Sequence, residues 1–264
     1  MPILFFRNDD VRNVLDDALI EITNLFIRYN IPLIHSVEPA NVSKEVVEWL
    51  IDTKGKHPLL IEIMQHGYDH KIKNKMKKGE FGGQREYEEQ YLDIKHGKEL
   101  MDNYFGNQWF PAFNFPYAPY NKKAIEALNN VGYLVFNSHY NSGLSRRIFY
   151  TLGHVLNKGL LFDHHVSWNL QRYPKTKLFE IDMNISFIKR YIDEQVDSDM
   201  YGIDELIRLT ERYRTCRTIG VLLHHRYHNS GEKISLVKKY LDWCKKQNYS
   251  FSTLKDLYKR FARN

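Results

Sequence analysis

Residues 61–71 read IEIMQHGYDHK. With Leu59 and Leu60 ahead of it, the run to Met64 has the apolar composition of a buried strand, and Pro58 marks its entry. The run stops at Gln65-His66-Gly67-Tyr68-Asp69-His70. A strand that leaves a core and at once delivers two histidines, four residues apart around a glycine, points to a site at its end. If the residues between them make a helical turn, both imidazoles converge, and Gly67 relaxes the backbone where the strand must bend.

Outward from this stretch, strands and helices alternate. Upstream, Ile3–Phe6 is a short apolar run that stops at Arg7-Asn8-Asp9-Asp10. Leu15, Leu19, Ile22 and Phe26 then repeat on one helical face. Leu33-Ile34 reads as a second strand, and Ser43 as the cap of a helix carrying Val46, Val47, Trp49, Leu50 and Ile51. Downstream, Tyr87, Tyr91, Ile94, Met101 and Phe105 mark a long helix, followed by a strand at 110–113, a helix near 122–129 and a strand at 133–136. From about 140 to 200 the pattern is poor, with weak strand signals at 160–162 and 179–181. Thr218–Leu223 is again a buried-type strand. Ile234, Val237, Leu241 and Cys244 mark a helix, 249–251 a strand, and Leu254–Phe261 a last helix behind Ser252. Such alternation predicts an α/β fold with a parallel sheet. Over 264 residues, with no glycine-rich nucleotide loop after any strand, it predicts a (β/α) barrel forming a single domain, 1–264.

Composition narrows the function classes. Two cysteines, Cys216 and Cys244, form no C-x-x-C pair, which argues against a disulfide framework or a cysteine-rich zinc site. The formal charge of +6 permits anionic partners, but no nucleic-acid motif accompanies it and nucleic acid is not expected. No run is long enough to span a bilayer, and Met1–Arg7 is too short for a signal sequence, so a cytoplasmic setting is expected.

Polar residues collect at the ends of the apolar runs: Asp9 and Asp10 after the first, His66 and His70 after the third, Asn114–Tyr117 after the strand near 110, and His224-His225 after the late one. In (β/α) barrels the strand C-termini carry the site. Singly, each signal also marks an ordinary helix surface or loop. Together, one carboxylate and two imidazoles make a three-ligand site for a divalent metal. The second carboxylate is then available as general base, and His224 as general acid.

These residues resemble the polysaccharide deacetylase (NodB-homology) superfamily, carbohydrate esterase family 4. Arg7-Asn8-Asp9-Asp10-Val11 is similar to its first motif, T-F-D-D-G, and His66–His70 to its second, H-[ST]-x-x-H. Asn114-Phe115-Pro116-Tyr117-Ala118 is similar to a degenerate third motif, R-P-P-Y-G, and Leu223-His224-His225 to the last, L-H-D. The resemblance implies a distorted barrel, typically of seven strands, and metal-dependent hydrolysis of N-acetyl or O-acetyl groups. By position it implies Asp10, His66 and His70 as ligands, usually of zinc, although cobalt, nickel, manganese and iron accept the same donors. It implies Asp9 as base, His224 as acid and Tyr117 as a backbone donor to the oxyanion site. The chain departs from the pattern at Asn114, where the family has an arginine that steadies the catalytic aspartate. Arg7 is the candidate to replace that charge. Val11 stands for a glycine and His225 for an aspartate, and a fourth motif finds only a loose match in Asp163–Trp168. Arg7, Asn114, Trp168 and His225 are therefore the substrate-side candidates.

The expected partner is an acetylated carbohydrate or sugar conjugate. The basic stretch Lys71–Gly83 reads either as a solvated loop or as a lid attracting an anionic group on that substrate. Phe113, Phe115, Tyr117, Tyr120, Tyr140 and Trp168 offer ring faces for sugar stacking or for core packing. Two alternatives stay open: the same metal scaffold acting on another ester, amide or phosphoester, and a non-catalytic basic binding module.

Overall fold

Period-two alternation along the strands sorts side chains into two environments, and the sheet closes around one of them. The computed structural model describes residues 1–75, 78–139, 171–173, 175–193 and 197–262, together with the single positions 145, 148, 152 and 156. Its strands are β1 (Ile3–Val11), β2 (Leu33–Val37), β3 (Ile61–His66), β4 (Ala112–Asn114), β5 (Val135–His139), β6 (Gln171–Arg172), β7 (Phe179–Ser186), β8 (Ile188–Asp193), β9 (Asp197–Met200), β10 (Thr218–His224) and β11 (Ser250–Phe251). The helices are α1 (Asp17–Arg28), α2 (Lys44–Lys56), α3 (Tyr87–Phe105), α4 (Lys122–Val131), α5 (Ile203–Arg212), α6 (Gly231–Lys246) and α7 (Leu254–Phe261).

Strands β1, β2, β3, β4, β5, β7 and β10 pair in parallel in that order, and β10 pairs back onto β1, closing a seven-stranded barrel. Strand β6 adds antiparallel to β7, β11 adds to β1, and β8–β9 is a separate hairpin. The interior is apolar at the strand N-termini: Phe5, Ile34, Met64, Ala112, Val135, Ile181, Met183 and Leu222 form one cluster, and Leu254 and Leu257 of α7 join it from below. Outward-facing residues build two further clusters under the helices, one around Phe113, Phe136 and Leu128, the other around Phe6, Phe26 and Tyr240.

Several sequence expectations shift. The first strand continues through Arg7–Asp10 instead of stopping before them. The last helix is capped by Thr253, whose side chain accepts from the Asp256 N–H, and not by Ser252. Ser43 caps α2 as expected. The weak signal at 179–181 is the start of barrel strand β7, while residues 160–162 lie outside the described residues. The β8–β9 hairpin went unread because Lys189, Arg190 and Asp193 interrupt it, while α5, whose Ile203, Leu206 and Thr210 share one face opposite Asp204, Glu205 and Arg208, was legible but fell where the surrounding pattern is poor. Among the described residues no helix is long and apolar enough to cross a membrane.

Candidate metal centre and active site

Alternation along β1 sends Phe5, Arg7 and Asp9 into the barrel and Phe6 and Asn8 outward, so Asp10 would face the helices. A register shift between Asn8 and Val11 prevents this. Asp10 takes φ +61°, a left-handed conformation rare for a non-glycine residue. This bulge turns both carboxylates toward the same cavity and returns Val11 to the outer core.

Asp10 Oδ1 lies 3.2 Å from His66 Nε2 and 3.4 Å from His70 Nε2. One donor atom from each of the three residues lies within 4.8 Å of the others. Burial alone would raise the Asp10 carboxyl, but His224, His66 and His70 hold it well below the usual carboxylate range. An ionised carboxylate and two imidazoles on fixed backbone are a donor set that fits a divalent cation.

The two histidines reach this point by a route other than a helical turn. Gly67 and His70 both have positive φ, at +56° and +54°. The loop between them wraps around the buried carboxylate of Glu80, which accepts the backbone N–H groups of Tyr68, Asp69 and His70 at 2.8, 3.1 and 3.2 Å. The segment carrying Glu80 is the basic stretch 71–83. Its described residues are anchored, with Asn74, Glu80 and Phe81 buried and Lys73 bonded to Asp69 and Asp93. Sequence reading missed Glu80 because a buried acid inside a basic stretch has no periodic signature.

Behind the ligands sits a layer of interior polar side chains. Arg7 donates to both oxygens of Asp9, at 2.6 and 2.7 Å, and also to Asn137. Asn114 Nδ2 donates to Asp9 Oδ2 at 3.2 Å and lies 2.6 Å from His66 Nδ1, while Ser36 donates to Asn114 Oδ1. Burial pushes the Asp9 carboxyl up, but Arg7, His66 and His224 outweigh it and hold the group below its ordinary value. Arg7 thus lies against Asp9 as a cation must if it is to replace the arginine absent at Asn114. Asn137 and Ser36 were not anticipated. Both occupy the interior phase of their strands, which is the signal that would have found them.

On the far side of the cavity, His224 pairs in register with Asp9 across β10 and β1. Burial lowers its pKa, against the opposing pull of Asp10 and Asp9. Its ring packs edge-on against Tyr191 of the β8–β9 hairpin and against Tyr227. Tyr117, at φ +62°, holds its ring 4.5 Å from that of His70 at an interplanar angle of 50° and donates its hydroxyl to the His70 carbonyl.

The cavity bounded by these groups has a volume of about 510 Å³, and Arg12, Lys78, Phe115, His139 and Arg226 complete its lining. Of the sequence candidates, Asp9, Asp10, His66, His70, Tyr117 and His224 line it, and Arg7 and Asn114 sit directly behind. His225 does not line it. Its ring faces Asn8 and Asp16 on the outer side of β1, because the chain leaves β10 at His224 in a short 3-10 turn, His225–Tyr227, and the His225 N–H donates to Asn8 Oδ1 at 2.7 Å. Of the ring faces, Phe113 and Tyr120 are core, while Trp168 and Tyr140 lie outside the described residues, as does the Asp163–Trp168 stretch.

No family model matches this sequence, and no curated protein does. Solved structures do. A Mycobacterium smegmatis protein assigned as a polysaccharide deacetylase superposes with a TM-score of 0.64 at 11% identity, covering 92% of this chain and 76% of its own. A family 4 acetyl xylan esterase from Clostridium thermocellum, in complex with a cobalt ion, gives 0.59 at 11%, covering 97% and 90%. A peptidoglycan N-acetylglucosamine deacetylase gives 0.57 at 11%, covering 97% and 87%. In fold, the chain is a seven-stranded (β/α) barrel of the kind seen in these polysaccharide deacetylases and family 4 carbohydrate esterases.

Proposed function

We propose that the protein is a metal-dependent hydrolase that removes an acetyl group, most directly an N-acetyl group, from a carbohydrate or sugar conjugate. The observation that carries this reading is the convergence of Asp10, His66 and His70 on one point beside an Asp9 whose carboxylate Arg7 grips. Asp10, His66 and His70 would hold the cation, and zinc is the favoured ion for two imidazoles and a carboxylate. A bound divalent ion supplies Lewis acidity toward a carbonyl oxygen and a water.

The remaining roles belong to the chain. Arg7 and Asn114 together occupy three of the roughly four acceptor positions of Asp9, leaving one for the attacking water, whose proton Asp9 takes. His224 faces the opposite side of the cavity. A buried imidazole with a lowered pKa becomes a strong acid once protonated, suited to hand its proton to a leaving nitrogen. The backbone N–H of Tyr117 is the donor assigned to the developing oxyanion, and the rings of Tyr117 and Tyr191 offer faces for a sugar.

Metal content, measured by elemental analysis on protein purified without affinity metal or chelator, is expected to be about one ion per chain and to be lost in His66→Ala. Asp9→Asn should keep the ion and lose acetate release by about a hundredfold or more. Wild-type turnover in Asp9→Asn would remove Asp9 from its role. Failure to retain any offered divalent ion would overturn the reading as a whole.

A further inference from the structure

Three cationic side chains share the cavity with the ligand group. Arg12 follows β1, Arg226 follows β10, and Lys78 comes from the segment that folds over Glu80. Among the described residues, the acidic side chains lining that cavity are Asp9 and Asp10. Asp9 is already matched by Arg7, and Asp10 belongs to the ligand set. With a divalent ion in place, three side-chain cations and the ion would face two carboxylates among the described residues. A cavity with low-dielectric walls and charges of one sign concentrates ligands of the other sign.

The cations are also placed for contact. Arg12 has Glu38 as its nearest carboxylate at 4.0 Å, makes no hydrogen bond among the described residues, and leaves 34% of its side chain exposed. Its planar fork is therefore presented to the cavity as a bidentate donor. Arg226 lies 3.7 Å from Asp10 Oδ2, beyond hydrogen-bond reach, with its guanidinium 5.3 Å from the centre of the Tyr227 ring. Lys78 Nζ sits 5.2 Å from the centre of the Tyr117 ring. Both rings belong to the cavity wall, so two of the three cations lie over aromatic rings that line the site. A neutral acetylated sugar offers them hydroxyl and carbonyl acceptors but no charge to balance theirs.

We propose that the substrate carries an anionic group, a carboxylate or a phosphate, close to its acetyl group, and that Arg12, Arg226 and Lys78 receive it. The acetyl half of this statement rests on the hydrolase reading above, whereas the anion half rests on the lining alone.

The test compares N-acetylglucosamine with its 1-phosphate, its 6-phosphate and its 3-O-lactyl ether, by acetate release from zinc-loaded protein and by calorimetric binding to metal-free protein. Binding to metal-free protein separates the arginines from direct ligation of the ion. At least one anionic compound is expected to exceed the neutral sugar by about tenfold or more in both readouts, weakening as salt rises. Preference for the lactyl ether assigns a carboxylate and preference for a sugar phosphate assigns a phosphate. Arg12→Gln and Arg226→Gln should each bring the anionic-to-neutral ratio toward one. Acetate release that treats neutral and anionic sugars alike overturns the proposal and leaves the hydrolase reading standing. Salt-sensitive binding of an anionic sugar with no acetate released supports the anion site and overturns the hydrolase reading. Neither binding nor release overturns both.

Discussion

Gly67 is the residue on which the ligand geometry turns. At φ +56° it follows His66 directly, and a Cβ there would stand 2.3 Å from Glu80 Oε2 and 2.4 Å from Pro116 Cγ. Left-handed backbone and a side-chain clash therefore coincide at one position. Gly67→Ala is expected to cost about 2 kcal/mol or more in urea unfolding of the metal-free protein, through strain and displacement of Glu80. It should weaken metal affinity beyond that loss, because Glu80 holds the loop that carries His70. An Ala variant with unchanged unfolding midpoint and metal affinity would show that the loop tolerates another path. Asp10 occupies a comparable backbone state at the bulge in β1. Non-glycine residues in that conformation cluster at functional sites, where surrounding contacts outweigh the strain.

Among the elements, α7 closes the bottom of the barrel through a polar contact as well as an apolar one. Leu254 and Leu257 fill the interior, and the N–H groups of Leu254 and Lys255 donate to the two oxygens of Glu62 at 2.9 and 3.0 Å. Thr253 serves the next free donor at the same helix end. Burial pushes Glu62 up to about 7, even against those N–H groups and Lys54. Its folded pKa therefore stands above its unfolded value of 4.5, and the folded state binds the extra proton between those values. The contribution is present below pH 4.5 and is lost as pH rises toward 7, by about 1.4 kcal/mol per pH unit. Urea unfolding from pH 4.5 to 8, compared with Glu62→Gln, should show the wild type losing stability relative to the variant across that window. Parallel curves would mean that Glu62 is ionised throughout.

At the scale of the whole molecule, the site exists only because the barrel closes. Closure occurs where β10 meets β7, and there Asn184 is an extra residue in β7 whose side chain accepts the Gly220 N–H at 2.8 Å. Gly220 faces Phe5 and Met183 inside the barrel. A Cβ would come within 2.5 Å of the Phe5 ring and 2.8 Å of the Asp182 carbonyl oxygen. Gly220→Val is expected to destabilise the protein by about 3 kcal/mol and to lower metal affinity, since β10 pairs along β1, the strand that carries the ligand Asp10. Urea unfolding and metal titration check both effects. A variant of unchanged stability would show that closure has slack at this seam.

The strand and helix order was legible in the sequence because both periodicities are strong there. The apolar runs at Ile3–Phe6, Leu33-Ile34, Ile61–Met64 and Thr218–Leu223 are fully buried strands, and the amphipathic faces of α1 and α3 pack where their spacing predicts. Grouping Asp10 with His66 and His70 was also legible, since each directly ends such a run or follows its end. Three features were decided by tertiary structure. Asp10 faces the cavity only through a bulge that breaks the alternation of β1, and His225 faces away because the chain leaves β10 at His224 and the His225 N–H bonds to Asn8 on the outer side of β1. Glu80 and Asn137 act on residues far from them in sequence, across a loop and across the barrel. A local pattern fixes which face a side chain takes while the strand is regular. Where the chain bends, or where a buried polar group must find its partner, the packed surroundings make the choice.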